Sequence, residues 1–413
     1  MKHIAMTIAA AVVLSAAMTA IGEDWPQFRG PNRDGKSAET GLLKSWPDGG
    51  PKLLWTSKVN LGDGFSSMSV AKGVIYTTGM VDGQETMFAI DLKGKLKWKV
   101  KYGAGFSKFP PSTRTTPTVD GENLYIMSSV GKVGCFQAAD GKEKWSVDTA
   151  QKFGGENIRW GIAESILIIG DKAICTPGGP DATMVALNKL TGETIWRTKG
   201  LGDKSAYCSP ILIKDAKRNL IVTMTESHAV GVSPTNGRVL WKFPYRGRCQ
   251  AHAVSPTYSD GRIFITSGYN DGAVMLDLAA DGKSVKVAWK DEGFDTHHGG
   301  VILVDGHIYG TTWKGNSDGN WICADWKTGK VKFDEHWKCK GAMVFADGML
   351  YCYEEKGGTI GLVKAAPSGF KVISSFKVPA GDGKHWAHPV VANGVLYVRH
   401  GSALMAYDVK AKQ

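Results

Sequence analysis

The chain has 413 residues, with 52 glycines, 14 tryptophans and a formal net charge of +11. Because 43% of the residues are hydrophobic and only 22% are charged, the composition excludes an intrinsically disordered chain. Glycine is abundant but has no three-residue period, which excludes collagen and favours a β protein rich in turns. The lysines are scattered along the sequence, so we expect solvated turns rather than a nucleic-acid-binding patch.

Residues 1–22 are laid out like a secretory signal peptide. Lys2 precedes an uncharged run from Ile4 to Ala20, and Ala20-Ile21-Gly22 provides small residues for cleavage. We predict cleavage after Gly22, or after Ala20, which places the mature chain in the periplasm or outside the cell. An uncleaved anchor is the alternative, although a run this rich in alanine is a poor membrane span. No cysteine follows the signal, so we expect no lipid attachment there. No second hydrophobic run approaches the length of a membrane span, so we expect none in the mature chain.

After an N-terminal extension, residues 23–52, a four-strand unit recurs through residues 53–413, which we predict to form one domain. An apolar strand ends in a turn such as Asp120-Gly121, and a second strand follows, such as Leu124-Tyr125-Ile126. A third strand leads to another glycine turn, such as Thr191-Gly192, and then to a fourth strand that carries an aromatic residue. Asn-Gly and Asp-Gly supply the positive φ that tight hairpin turns need.

The aromatic residues of the fourth strands set the number of units. They recur every 43 to 51 residues and are Trp55, Trp98, Trp145, Trp196, Trp241, Trp289, Phe333 and Phe376. Four short strands at this period indicate a β-propeller blade, because a βαβ unit would need an amphipathic helix. We therefore predict an all-β, eight-bladed β-propeller with four-stranded antiparallel blades. The last unit lacks a fourth strand, so the N-terminal strand Leu53–Val59 is predicted to complete the C-terminal blade and close the ring.

Other sequence features assign no chemistry by themselves. Seven cysteines leave at least one thiol without an intrachain partner, and Cys208 and Cys249 are candidates for a disulfide in an oxidising compartment. The sequence contains no Cys-x-x-Cys, P-loop, nucleophile elbow or dinucleotide fingerprint.

Two stretches of repeat carry a recognisable string: Ala186-Leu187-Asn188 with Thr191-Gly192 and Trp196, and Ala89-Ile90-Asp91 with Gly94 and Trp98. This string resembles the Ala-x-Asp-x-x-Thr-Gly-x-x-x-Trp repeat of pyrroloquinoline quinone (PQQ) proteins. The segments Trp25–Gly35 and Trp160–Ser165 are similar to secreted bacterial PQQ-like propellers. The resemblance covers residues 53–409 and implies an eight-bladed propeller, but it is less specific about activity.

The resemblance implies two kinds of function. Quinoprotein dehydrogenases use PQQ, Ca²⁺, a catalytic Asp, a stacked Trp and often two adjacent cysteines. This chain is short for such an enzyme and has no adjacent cysteines, while Glu164 and Asp295 are its candidates for a metal ligand and a base. The outer-membrane assembly lipoprotein carries a cysteine where this chain has Glu23. We favour a non-enzymatic ligand-binding or protein-interaction scaffold without a cofactor, and the alternative is a PQQ- and Ca²⁺-dependent alcohol or sugar dehydrogenase.

The candidate site is the mouth of the central channel, where the innermost strand of each blade begins. The residues just upstream of these strands form the predicted ligand-binding set: Arg114, Trp160, Glu164, Tyr207, His252, His298, Lys340, Trp386 and His388. The cations would hold anionic groups, and the rings would stack on a sugar or quinone. The alternative is that these are ordinary side chains of a propeller rim. The predicted partner is a small-molecule, saccharide or peptide ligand, or a protein, and not a nucleic acid.

Overall fold

The computed structural model describes residues 24–108 and 112–412. The predicted signal peptide, residues 1–22, lies outside these described residues. Two strands precede the first blade: β1 (Lys36–Ser37) and β2 (Lys52–Thr56). One short helix, α1 (Thr149–Phe153), is the only helix among the described residues, and it begins after the N-cap Asp148.

The other strands follow in eight groups, which we number as blades 1 to 8. The first four blades are β3 (Ser69–Ala71), β4 (Val74–Val81), β5 (Gln84–Asp91) and β6 (Leu96–Ala104); β7 (Thr118–Asp120), β8 (Asn123–Met127), β9 (Lys132–Gln137) and β10 (Glu143–Asp148); β11 (Leu167–Ile169), β12 (Lys172–Cys175), β13 (Val185–Asn188) and β14 (Thr194–Arg197); β15 (Ile211–Lys214), β16 (Asn219–Met224), β17 (His228–Val232) and β18 (Val239–Pro244). Blades 5 to 8 are β19 (Thr257–Ser259), β20 (Arg262–Thr266), β21 (Ala273–Leu278) and β22 (Val285–Asp291); β23 (Ile302–Val304), β24 (His307–Thr311), β25 (Trp321–Asp325) and β26 (Val331–Glu335); β27 (Gly341–Ala346), β28 (Met349–Glu354), β29 (Thr359–Lys364) and β30 (Val372–Lys377); β31 (Val390–Ala392), β32 (Val395–His400) and β33 (Ala403–Asp408).

Within each blade, consecutive strands pair antiparallel in chain order. The tight turns allow this order, since residues such as Asp260 and Gly261 adopt φ values of 50° and 78°. The first strands of neighbouring blades contact one another, for example β3 with β7 and β27 with β31, so they surround a common axis. The prediction of an all-β propeller with eight four-stranded blades is confirmed.

The ring closes through the N-terminal strand. β2 pairs antiparallel with β33, placing Lys52 opposite Asp408 and Leu53 opposite Tyr407. This pairing supplies the fourth strand that the C-terminal blade lacks, as predicted. The C-terminal blade therefore has four strands like the others, and β33 is paired on both of its edges.

Neighbouring blades are joined where a tryptophan of one packs on a glycine turn of the next. The indole Nε1 of Trp55 donates to the Leu92 carbonyl at 2.8 Å, and a Cβ at Gly94 would lie 2.8 Å from the Trp55 ring. Only a residue without a side chain fits there, and the φ of +80° at Gly94 also favours glycine. The same pairing recurs at Gly141 on Trp98, Gly192 on Trp145, Gly237 on Trp196 and Gly329 on Trp289.

The segment before β2 lies inside the ring. Trp25 pairs with Val70 of blade 1, and Gly35 accepts a hydrogen bond from the backbone N–H of Phe345 in blade 7. Between these points Arg33 donates to carbonyls of Ser165 and Pro210, which precede the inner strands of blades 3 and 4. Residues 24–37 therefore cross the channel and fill it, whereas the sequence patterns predict only an extension.

The seven cysteines all lie among the described residues, and each is a free thiol. Cys208 and Cys249 are both free, so the candidate disulfide between them is not formed. No helix among the described residues is long and apolar enough to cross a membrane.

Deleting residues 50–60 removes β2 and leaves β33 with an unpaired edge. We expect the variant to aggregate, because an exposed edge strand pairs readily with other chains. Size-exclusion chromatography and thermal melting measure this outcome. The control is Leu53→Lys, since Leu53 is 42% exposed and its backbone pairing is retained. A deletion variant that remains monomeric and melts like the wild type would show that β2 does not close the ring.

Candidate functional site

A cavity of about 460 Å³ opens at the end of the channel where the inner strands begin. Segments from seven blades and the N-terminal segment line it, which is the convergence that a propeller imposes. Its wall consists of Phe28, Phe65, Arg114, Arg159, Trp160, Ala163, Tyr207, Ser209, Cys249, Ala251, Ala253, Tyr269, His297, His298, Asn316, Trp386 and His388. We call this cavity the funnel.

Aromatic rings form most of the apolar wall of the funnel. The rings of Trp160 and Tyr269 are parallel within 3°, with centroids 6.3 Å apart. Tyr207 packs against Trp160 at 5.8 Å, and its hydroxyl accepts a hydrogen bond from the Trp160 backbone N–H at 2.9 Å. On another side of the wall, Phe65 and Trp386 lie 4.8 Å apart. These fixed flat faces suit a planar ring or the apolar face of a sugar.

Two arginines give the wall its charge. The Arg114 guanidinium donates to the Ser112 carbonyl at 2.8 Å and lies 5.3 Å from the Phe106 ring centroid. Burial lowers the pKa of Arg114 to about 10, so the group remains cationic at neutral pH. Arg159 stacks over Trp160 at 4.7 Å. Among the described residues no Asp or Glu lines the funnel, so its wall has a positive net charge.

Three imidazoles lie together in the wall. Burial lowers the pKa of His388 to about 3, and Arg29 lowers it further in the same direction, so this ring is neutral at physiological pH. Burial also holds the pKa of His297 well below its usual range, and its Nε2 lies 2.9 Å from the Tyr269 hydroxyl. His298 Nε2 lies 2.8 Å from Glu355 Oε2. The described residues contain no group of His, Cys, Asp and Glu arranged to hold a metal ion.

The N-terminal segment forms the floor of the funnel. Phe28 packs edge-on against His388 at 5.0 Å. Arg29 and Arg33 follow it and are each 4% exposed, and their guanidinium groups donate to backbone carbonyls, including those of Val301 and Ile166. Burial lowers the pKa of both to about 10, so two further cations lie at the centre of the ring.

The structure places six of the nine predicted residues in the funnel wall: Arg114, Trp160, Tyr207, His298, Trp386 and His388. The other three, Glu164, His252 and Lys340, do not line it. The prediction missed Phe28, Arg159 and Tyr269. Arg159 adjoins the predicted Trp160, but Tyr269 comes from a hairpin turn inside blade 5, outside the segments upstream of inner strands.

Each of the three residues outside the wall is buried against other protein groups. Glu164 is fully buried, and its Oε2 accepts a hydrogen bond from the Thr176 backbone N–H at 3.1 Å. His252 is fully buried beside Tyr245, and burial lowers its pKa to about 4.

Lys340 is 2% exposed, donates to the Gly315 carbonyl at 2.7 Å and forms an ion pair with Glu355. Burial opposes ionisation of Glu355, but His298 and Lys340 outweigh it and lower the pKa to about 2. The charge of Lys340 is therefore already compensated by this carboxylate, and its replacement would leave Glu355 with one fewer partner.

The described residues do not fit a Ca²⁺ site of the quinoprotein kind, because Ca²⁺ takes six to eight oxygen ligands. Glu164 has an unpartnered Oε1, but burial raises its pKa to about 8, so the group is protonated at neutral pH. Asp295 is 1% exposed and accepts hydrogen bonds from the backbone N–H groups of Asn270 and Gly272, at 2.6 and 3.0 Å. Both carboxyls thus face the protein interior.

Replacing Glu164 by Gln tests its protonated state. A carboxyl whose folded pKa is raised to about 8 holds a proton that the unfolded chain loses near pH 4.5, so folding stability falls as pH rises between these values. Relative to Glu164→Gln, the wild type should lose stability of order 3 kcal/mol between pH 5 and pH 7. Denaturant unfolding at a series of pH values measures this difference. Parallel curves for the two proteins would show that Glu164 ionises normally.

Several known proteins are similar to this chain. An outer membrane protein assembly factor BamB from Burkholderia pseudomallei is 24% identical over 313 residues, covering 65% of this chain and 76% of that protein. A 1-butanol dehydrogenase (quinone) from Thauera butanivorans is 25% identical over 214 residues, covering 48% of this chain and 34% of that protein. The match thus spans only about a third of the dehydrogenase. The solved quinohemoprotein alcohol dehydrogenase from Comamonas testosteroni superimposes with a TM-score of 0.70 at 13% identity, over 94% of this chain and 81% of that chain, and this likeness shows the fold alone.

A family model described as outer membrane protein assembly factor BamB matches residues 41–179 and 111–335. Together the two matches run from residue 41 to residue 335, which is more than half of the 413 residues. They include every strand of blades 1 to 6, from β3 to β26. The chain therefore belongs to this family of PQQ-like β-propeller repeat proteins.

Proposed function

We propose that this chain is a periplasmic or secreted binding scaffold whose funnel holds an anionic ligand, such as an acidic saccharide or an acidic peptide. One observation carries the proposal: two arginines and several aromatic rings converge in a closed-ended cavity whose described wall has no carboxylate. The same cavity offers flat faces for a sugar ring beside cations that bind carboxylate or sulfate.

The size and electrostatics of the funnel support this ligand class. A volume of about 460 Å³ is in the range of small-molecule sites and holds one or two sugar rings, or the end of a longer saccharide or of a peptide. Arg29 and Arg33 beneath the floor add positive potential, since the channel around them is filled by protein and screens charge weakly. An anion in the funnel would thus contact the two guanidinium groups of the wall and experience the potential of the two buried beneath the floor.

A scaffold role is also consistent with the family. The assembly factor from Burkholderia pseudomallei matches 65% of this chain, and its name describes a role in assembly and not a reaction. The signal-like residues 1–22 support export. In that role, the group bound in the funnel would be an acidic segment of a protein partner rather than a free small molecule.

A redox enzyme is the second candidate, and the similarity to the quinone-dependent butanol dehydrogenase favours it. Incubating the purified protein with Ca²⁺ and PQQ, and then following dye reduction with alcohols and sugars, separates the two functions. We expect no substrate-dependent dye reduction, because the described wall provides no carboxylate for Ca²⁺. Tight quinone binding with turnover would replace the scaffold proposal by the dehydrogenase.

Replacing Arg114 and Arg159 together by Ala tests the binding proposal. With a trimer of galacturonic acid as the probe, we expect a loss of affinity of about 100-fold, because each cation supplies a charge-assisted hydrogen bond. The wild-type affinity should fall with added salt, and an uncharged galactose trimer should bind the two proteins equally weakly. Titration calorimetry measures all three quantities.

The matched control is Arg238→Ala, since Arg238 is exposed in a turn of blade 4, away from the funnel. Thermal melting of every variant checks that the ring stays intact. An equal affinity of the double variant and the wild type for the charged trimer would remove the funnel as the binding site.

A further inference from the structure

Blade 1 carries a cluster of lysines on its outer strand. Lys97, Lys99 and Lys101 occupy alternate positions of β6 and are exposed, whereas Trp98, Val100 and Tyr102 between them are partly or fully buried toward blade 2. Lys99 and Lys101 are alternate residues of the strand and point to the same face, about 7 Å apart. Lys97 lies in a β-bulge, because Leu96 and Trp98 pair with the consecutive residues Ile90 and Ala89, and it adds a third exposed amine next to them in the strand.

The turn before β6 extends this cluster. Lys93 and Lys95 are exposed there, so five lysines lie at alternate positions from residue 93 to residue 101. The adjacent carboxylate, Asp91, accepts hydrogen bonds from the backbone N–H groups of Lys93 and Lys95, both at 2.9 Å. Glu85, at the far end of the neighbouring strand β5, is buried and bonded to Ser129.

These lysines are not neutralised within the protein. None of the five is in an ion pair among the described residues, although other exposed lysines, such as Lys132, are. No other outer strand has more than two basic residues, and β6 has three with no acidic residue. The charge is therefore concentrated at this part of the rim.

Two leucines accompany the lysines. Leu92 and Leu96 flank the turn and are 39% and 42% exposed. Exposed leucines interspersed with lysines are typical of surfaces that insert shallowly among lipid headgroups, where the apolar groups enter the acyl boundary and the amines contact the anionic headgroups. A soluble polyanion would need only the lysines.

We propose that residues 92–101 form a docking surface for an anionic lipid bilayer. The surface lies on the outer perimeter of blade 1, far from the funnel mouth at the axis, so the funnel stays open when the perimeter rests on a membrane. The lysines provide the electrostatic attraction, and the leucines select a bilayer over a dissolved polyanion.

Cosedimentation with vesicles tests the proposal, using the chain from Glu23, which contains every described strand. The vesicles contain phosphatidylcholine with one-third phosphatidylglycerol, or phosphatidylcholine alone. We expect binding to the anionic vesicles only, and its loss on raising the salt from about 0.1 M to about 1 M. The triple variant Lys97→Gln, Lys99→Gln, Lys101→Gln should bind about 100-fold more weakly. Each lysine near an anionic surface adds a similar binding free energy, and the variant loses three of these contributions.

The matched control removes the same charge from the outer strand and turn of blade 5, through Lys283→Gln, Lys286→Gln and Lys290→Gln, all of which are exposed. This control should bind like the wild type. An equal loss of binding in both triple variants would show that only net charge matters and would overturn the proposal.

The variant Leu92→Ser with Leu96→Ser should also bind more weakly. If it binds normally and soluble polyglutamate displaces the vesicles, the surface recognises a dissolved polyanion and the bilayer proposal is wrong.

Discussion

The pairing of β2 with β33 is the interaction on which the rest of the molecule depends. It joins the two ends of the chain in one sheet and turns an open row of blades into a ring. Loop-closure entropy grows only with the logarithm of loop length, so pairing strands from opposite ends is opposed little more than pairing across half the chain. The packing of tryptophans on glycine turns then sets the angle between blades, and the segments before the inner strands meet around one cavity.

Residues 24–37 determine whether the ring has an open channel. They fill the channel, so the funnel is a closed-ended cavity and not a pore. Buried cations are costly unless polar atoms replace their water, and Arg29 and Arg33 are stabilised by carbonyl oxygens from several blades. Those carbonyls hold the segment in place, but as neutral groups they do not cancel the positive charges of the two arginines. In the proposed function, the positive charge of these two arginines adds to the attraction between the funnel and an anion.

The sequence predicts the fold well, because glycine turns and aromatic residues repeat at a regular spacing. It also predicts six funnel residues, since propeller topology determines where the inner strands begin. The three others depend on partners that spacing does not reveal, as Lys340 depends on Glu355. The crossing of the channel is missed because its arginines bind backbone carbonyls, which have no sequence signature. Likewise, lysines that look scattered in the sequence form an exposed cluster once β6 is an outer strand.

The central claim is that the funnel selects anions, and the most direct measurement is the anomalous scattering of bromide in crystals soaked in a bromide salt. The account predicts bromide in the funnel beside Arg114 or Arg159, at higher occupancy than at any exposed lysine. Bromide found only on the outer surface, with an empty funnel, would contradict it.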